Sequence, residues 1–473
     1  AGAGTGKTAV LAHRFIYLVE KRRISAHRIL CLTFTTKAAA EMQARITREL
    51  LERELLSRAE APLLLWIGNF HSICLRLLRQ NPLVVGLDPL FGVIEEAEQR
   101  LLLSETVHDF LNGKLGTETD SSRFDSLMIE RVEDFTENIL TVMNRVKDHF
   151  IEVENLKRNI RPILAEQYKT IEEALKSNAA SAKRADSRRK AVSLLDELPA
   201  SLAYEQLLLD AVYEIYKEYQ TTLERNDTLD FSDIVFHAYR LTQLDPSVKR
   251  RFDYILVDEF QDTDHGQYQL LKALSNDFNN VTVVCDKKQS IYEWREARPE
   301  NIDNFPGTEI PLDENYRSFG ETLEAANYFI KESMPEQKPL RPAEQGGRGW
   351  AGRPQVKLFR AQDREQEAEF VAREIQRLLD SEGRKPADVA ILMRSVHASR
   401  PYEDALRTLG IRYNTVGGCG FYDLDESKDV LALLRLIANP FDDLSMARIL
   451  LSPIVGLSDA TIYELEWRVT SRW

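Results

Sequence analysis

A chain of 473 residues with 43% hydrophobic and 29% charged residues is globular and too long for one ordinary core, so two to four domains or subdomains are expected. No apolar run approaches the roughly 20 residues that span a bilayer, and no signal peptide precedes the first motif, so the sequence reads as cytoplasmic, with no membrane partner. The net charge of −13 excludes a general electrostatic coat for nucleic acid, and any such binding must use a specific local groove.

The chain begins with Ala1, Gly2, Ala3, Gly4, Thr5, Gly6, Lys7 and Thr8. Glycines at this spacing let backbone N–H groups turn inward around phosphates, and the following helix aims its positive end at them. Lys7 is placed to reach the β/γ-phosphates of a nucleotide such as ATP, and Thr8 to ligate Mg²⁺. A helix over residues 9–20 leads to a strand over 29–34. A polar turn with helix-capping threonines and an alanine-rich helix follow. Residues 64–70 form another strand, ending just before His71. A histidine at the C-terminal edge of a strand is as readily functional as structural.

Long amphipathic helices are expected around 95–111 and 123–146. The basic run over 181–190 fits a solvated face better than contact with nucleic-acid phosphates. A helix over 203–225 then returns the chain to Tyr254–Val257, a continuous apolar run that suits a strand covered on both faces. It ends abruptly in Asp258 and Glu259. Two adjacent carboxylates at such an edge are costly unless a cation or a reacting water uses them. The four cysteines (Cys31, Cys74, Cys285, Cys419) lack metal-ligand spacing and read as reduced thiols. Strands at 356–359, 389–393 and 411–416 are expected to alternate with helices at 364–380 and 400–409, as a second α/β layer.

Four stretches carry a family resemblance: Ala1 to Thr8; Leu32 to Met42 (Leu-Thr-Phe-Thr-Thr-Lys-Ala-Ala-Ala-Glu-Met); Asn69 to Arg79; and Val257 to Thr263. They resemble motifs I, Ia, Ib and II of superfamily 1 DNA helicases of the UvrD/Rep type, in the family's order. Residues 281–297 resemble motif III and Leu312 to Ser318 motif IV. The resemblance implies a catalytic set of Lys7, Asp258, Glu259, Gln289 and Arg317. Asp258 and Thr8 would hold Mg²⁺, Glu259 would activate water, Gln289 would sense the γ-phosphate, and Arg317 would reach it from the second motor domain. Tyr316 would stack on the adenine of ATP. Thr33, Phe34, Thr36, His71, Tyr292, Trp294 and Arg295 would contact single-stranded DNA, the aromatic rings by sequence-tolerant stacking. Three positions depart from the pattern: Ala1, Cys285 and Glu296 stand where the family usually has glycine.

The fold implied is α/β: a P-loop NTPase with two RecA-like motor domains and helical insertions. By family position, residues 1–80 and 204–306 form motor domain 1A, 81–203 the helical 1B insertion, 307–420 an incomplete domain 2A, and 421–473 the start of 2B. Short segments, among them Asp286 to Tyr292 and Leu451 to Asp459, are closer to the AddA/RecB helicase–nuclease branch. That branch implies DNA repair or recombination, 3′-to-5′ movement on single-stranded DNA and duplex junctions, and a second helicase–nuclease subunit as a possible partner. The alternatives are a UvrD/Rep-type repair helicase without a nuclease, and a non-catalytic DNA-binding subunit. Intact Lys7, Asp258, Glu259, Gln289 and Arg317 argue against the last. With motifs V and VI not found, the chain reads as an internal fragment of a longer helicase, with little turnover expected from it alone.

Overall fold

The runs Ile29–Thr33 and Tyr254–Val257 carry apolar side chains on both faces, and each is buried almost throughout. Such segments have nowhere to go but the middle of a parallel sheet. The computed structural model describes residues 2–56, 65–115, 124, 126–129, 131–181, 185–275, 277–292, 297–335, 338–352, 355–395, 398–416, 425–438, 443–458 and 461. They divide into two units, Ala1–Val356 and Lys357–Trp473.

In the first unit, α1 (Lys7–Glu20), β1 (Ile29–Thr33), α2 (Thr36–Glu52), β2 (Trp66–Asn69) and α3 (Phe70–Gln80) come first. Then come β3 (Gly92–Val93), α4 (Glu96–Leu111), α5 (Val132–Asp148), α6 (Leu156–Ser181), α7 (Ala185–Arg225) and β4 (Thr228–Leu229). The chain continues through α8 (Phe231–Leu244), α9 (Pro246–Lys249), β5 (Tyr254–Val257), α10 (His265–Leu274) and β6 (Val281–Val283). It closes with β7 (Glu314–Asn315), α11 (Gly320–Ser333) and β8 (Arg341–Pro342).

The principal sheet has the order β2-β1-β5-β6, all parallel. Period-two alternation sends Leu30, Leu32, Ile255 and Val257 to one face, against α3, α8 and α10. Ile29, Cys31 and Leu256 go to the other, against α1 and α2. Because all four strands run the same way, the turns after Asn69, Thr33, Val257 and Val283 share one edge of the sheet. Polar side chains set those turns: Thr35 caps α2, Asn69 caps α3 and Asp264 caps α10.

A separate helical core is built by α4, α5, α6 and α7, with Tyr219, Leu103, Val107, Met143 and Ile215 fully buried. The ion pairs Lys157–Glu214 and Arg161–Asp210 and the hydrogen bond from Tyr168 to Glu205 step in opposite directions along α6 and α7, so the two helices run antiparallel. The basic run over 181–190 overlaps the start of α7, a 41-residue helix.

One buried hub joins this layer to the sheet domain. Lys147 Nζ on α5 lies 2.6 Å from Asp230 Oδ2 and 2.8 Å from Asp233 Oδ1. Tyr219 on α7 and Gln99 on α4 also donate to Asp230 Oδ2, at 3.0 and 3.1 Å. Asp230 and Asp233 in turn form the capping box of α8.

In the second unit α12 (Arg364–Glu382) packs on α13 (Arg400–Thr408), and α14 (Asp425–Ala438) on α15 (Asp443–Leu451). The strands expected at 356–359, 389–393 and 411–416 do not form ladders among the described residues. Val389, Ile391 and Ile411 lean on α12 and α13 instead, while Leu358, Leu392 and Val416 stay exposed. A period-two pattern makes a segment extended, but a strand also needs a partner in register. No helix among the described residues is long and apolar enough to cross a membrane. Cys31 and Cys74 are buried free thiols, and Cys419 lies outside the described residues.

Removing the hub's acceptor tests its weight. Asp230→Ala leaves the Lys147 ammonium, 2% exposed, short of its closest partner and is expected to cost about 3–5 kcal/mol. Chemical unfolding followed by circular dichroism reads this as an earlier first transition. A loss under about 1 kcal/mol would mean that Asp233 alone satisfies Lys147.

Candidate functional site

The loop ahead of α1 is held in an unusual backbone shape. Gly4 has φ +70° and Gly6 has φ +83°, a region open to glycine at little cost. Thr5 closes the loop by donating to the Gly2 carbonyl at 2.8 Å. Gly6 is the N-cap of α1 and has no side chain to satisfy the helix's first N–H groups. A helix N-terminus left open in this way, with its positive dipole end, suits an anion.

Two contacts bring this loop to the end of β5 across some 250 positions of sequence. Lys7 Nζ lies 2.7 Å from Glu259 Oε2, and Thr8 Oγ1 donates to Asp258 Oδ2 at 3.0 Å. Burial, followed by the neighbouring Glu259, raises the Asp258 carboxyl above its usual value, and the same two causes push Asp262 up to about 6. A buried carboxylate whose charge is disfavoured is the kind that a divalent cation stabilises. Thr8 and Asp258 fit Mg²⁺, which takes few protein ligands and keeps water and phosphate oxygens for the rest. Glu259 sits in the left-handed region (φ 50°, ψ 48°), a conformation that costs a side-chain residue on the order of 1–3 kcal/mol.

Glu259 is wired to the loop after β6. Gln261 Nε2 donates to Glu259 Oε2 at 3.0 Å, and Gln261 Oε1 accepts from the Asp286 backbone N–H at 2.9 Å. Asp286 then accepts from the Gln289 amide at 2.6 Å. Gln289 therefore faces Asp286 and reaches Glu259 through Gln261. Sequence reasoning passed over Gln261; its signal was a lone amide two residues beyond the carboxylate pair.

The segment around Asn315 packs on the phosphate loop from another side. The Tyr316 N–H donates to the Gly4 carbonyl at 2.9 Å, and Gly2 N–H to the Leu312 carbonyl at 3.3 Å. Asn315, 1% exposed, donates to the Ala3 carbonyl and accepts from the backbone N–H groups of Arg317 and Ser318. Asn315 too was missed; an Asn set just before the exposed Tyr316 and Arg317 is its only mark. Arg317 and Tyr316 are exposed beside the loop, and the Tyr316 hydroxyl donates to Glu314.

Phe34 and Tyr292, from the turns after β1 and β6, stand with ring centroids 4.8 Å apart at 31°. Thr36 accepts from Asn69, tying the turns after β1 and β2. His71 meets Phe231 edge-on at 5.6 Å, and burial holds its pKa below the usual histidine value. The Thr33 side chain is fully buried and its hydroxyl donates to the Thr35 carbonyl, so it shapes the turn. Ala1, Trp294 and Arg295 lie outside the described residues.

A glycine loop at the head of a helix, facing paired carboxylates on a parallel sheet, defines a nucleotide-binding domain of the P-loop class. The chain belongs to the UvrD-like helicase family: residues 1–308 match the UvrD/REP helicase N-terminal domain and 310–471 the UvrD-like helicase C-terminal domain. It is similar to proteins named ATP-dependent DNA helicase PcrA: that of Staphylococcus epidermidis at 34% identity (98% of this chain, 55% of the relative) and that of Bacillus subtilis strain 168 at 32% (98% and 54%). The chain thus spans about half the length of the curated relatives it matches. Their names favour the UvrD/Rep-type alternative over the AddA/RecB branch that the short segments suggested.

The packing around Gly4 gives a direct test. A Cβ there would stand 2.7 Å from both Arg317 Cβ and Asn315 Nδ2, and alanine would also be strained at this φ. Gly4→Ala is expected to weaken binding of a fluorescent ATP analogue about tenfold or more, with the circular dichroism spectrum unchanged. Unaltered affinity would show that this loop does not hold the phosphates.

Proposed function

We propose that the chain carries the ATP-hydrolysing core of a DNA helicase of the UvrD/PcrA type, a motor that moves on single-stranded DNA in repair. The carrying observation is the pair of contacts Lys7–Glu259 and Thr8–Asp258, which join a phosphate loop to a candidate base and a candidate cation ligand. The names of the relatives support the substrate class, and the Phe34–Tyr292 pair on the same sheet edge supports a single-strand contact. The polarity of movement is taken as 3′-to-5′ on the family resemblance.

In this reading the N–H groups of the loop and the open end of α1 cradle the phosphates of ATP. Lys7 now pairs with Glu259; an arriving phosphate competes for the ammonium and releases the carboxylate to take a proton from the attacking water. The base is thereby masked until the nucleotide is present. Thr8 and Asp258 would hold Mg²⁺, which supplies charge neutralisation at the phosphates when bound. Arg317 adds positive charge where negative charge develops in transfer, and Tyr316 offers a ring to the adenine. The hydrogen-bonded path Glu259–Gln261–Asp286–Gln289 gives the state of the phosphates a route to the loop bearing Tyr292.

Two substitutions separate the halves of this reading in the full protein. Glu259→Gln should preserve ATP binding while single-turnover hydrolysis falls about 10²–10⁴-fold, as for loss of a general base; a fall of less than about tenfold would remove Glu259 from that role. Tyr292→Ala should weaken single-strand binding by about 1–3 kcal/mol with little dependence on base sequence, leaving ATP affinity without DNA unchanged. Oligonucleotide titration showing parental affinity would assign the ring to packing against Phe34.

A further inference from the structure

The helical layer and Arg298 meet at a histidine to which neither the family match nor the sequence reading gives a role. His149 is the C-cap of α5. Its Nδ1 lies 2.8 Å from the Arg145 carbonyl oxygen, and its Nε2 lies 2.9 Å from Arg298 Nη2. A carbonyl only accepts and a guanidinium only donates. Nδ1 must therefore carry the hydrogen and Nε2 the lone pair, and the two partners together select the neutral ring. His265, the first residue of α10, lies parallel to it, with centroids 4.8 Å apart at 11°. Gly266 permits this approach: a Cβ there would stand 3.1 Å from the Asp148 carbonyl oxygen and 3.5 Å from the Phe150 ring.

The Ala297 N–H donates to the Tyr292 carbonyl at 3.2 Å, which brings Tyr292 beside Arg298. The Arg298 backbone N–H donates to the Thr263 carbonyl at 3.0 Å, and Asn301 donates to the Thr263 carbonyl and hydroxyl at 3.1 and 3.2 Å. Ahead of Tyr292, Asp286 is fastened to Gln261. Asp286 and Arg298 are thus both anchored to the segment that follows Asp258 and Glu259. Of the two, Arg298 alone, among the contacts described here, also holds to the helical layer, through His149.

We propose that His149 is a positioning residue: by accepting from Arg298 it lets the helical layer set the placement of Arg298 and, through the Ala297 N–H on the Tyr292 carbonyl, the grip of Tyr292 on single-stranded DNA. This rests on the function proposed above. The charged and titratable groups beside the ring are Asp264 and His265 at the start of α10, and Arg298. Burial pushes Asp264 up to about 6.

The test uses the full protein, a fluorescein-labelled oligo-dT for binding by anisotropy, and oligo-dT-stimulated ATPase. His149→Phe keeps a ring against His265 and deletes the acceptor; His149→Gln offers an amide oxygen near the position of Nε2 and does not titrate. His149→Phe is expected to weaken oligo-dT binding about five- to tenfold and to raise the DNA concentration for half-maximal turnover equally. Turnover at saturating DNA and the KM for ATP without DNA should stay within about twofold. His149→Gln, which restores an acceptor for Arg298, should bind oligo-dT within about twofold of the parent. Parental affinity in His149→Phe, or equal losses in both variants with a lowered Tm, would overturn the proposal. A parent that neither binds oligo-dT nor is stimulated by it overturns the motor reading itself, and this inference with it, whatever the ranking of the variants.

Discussion

Everything at the candidate site depends on how the ends of β5 and α1 satisfy each other's charge. Asp258 and Glu259 lie where a buried strand meets the sheet edge, and isolated carboxylates there would carry a large desolvation cost. Lys7 and Thr8 answer them directly, at 2.7 and 3.0 Å. The contact fixes the first turn of α1 against the sheet, and the glycine loop ahead of it inherits that position. Its partners at Asn315 and Tyr316 then enclose the loop from another side. A single electrostatic constraint therefore organises segments that lie more than 300 residues apart in the chain.

The same logic of buried charge recurs at the hub of Lys147, Asp230 and Asp233, with a different outcome. At the hub one cation meets two acids, with Tyr219 and Gln99 completing the coordination of Asp230. The cluster is closed, and its members spend their hydrogen-bonding capacity on one another. At the Lys7–Glu259 pair the arrangement is open: Glu259 is about one-third exposed, and a phosphate can compete for Lys7. Closed buried networks specify a docking geometry, whereas an open one can exchange partners. That difference separates the structural cluster from the candidate catalytic one, although both are made of Lys and acidic residues.

Much of the sheet domain was legible from residues alone because its signals are local. The unbroken apolar run of β5, the glycine spacing before α1 and the capping Thr35 each state their structure within a few positions. The second unit was harder. Segments 356–359, 389–393 and 411–416 carry a strand-like pattern, yet pairing depends on a partner that no local pattern contains. Gln261 and Asn315 escaped for a related reason: a lone amide says nothing of which distant backbone it will bridge. Thr33 ends a strand that is buried throughout, and burial of one side chain is not written in its motif. His71 remains as the sequence left it, half-buried against Phe231.

The 41-residue α7 has a consequence of scale. At 1.5 Å per residue its contour runs to about 60 Å, roughly twice the width of a small domain. Its C-terminal turns are clamped, with Tyr219 in the hub and Leu223 in the helical core, while its beginning lies far from that clamp beside the end of α6. A rod fixed at one end amplifies angle into distance. A tilt of about 5° where the packed stretch begins at Leu209 carries the remote tip, about 36 Å away, through about 3 Å, close to the spacing between neighbouring bases in a stacked strand. A change too small to disturb the packing of Tyr219 would thus be visible at the tip as a stride.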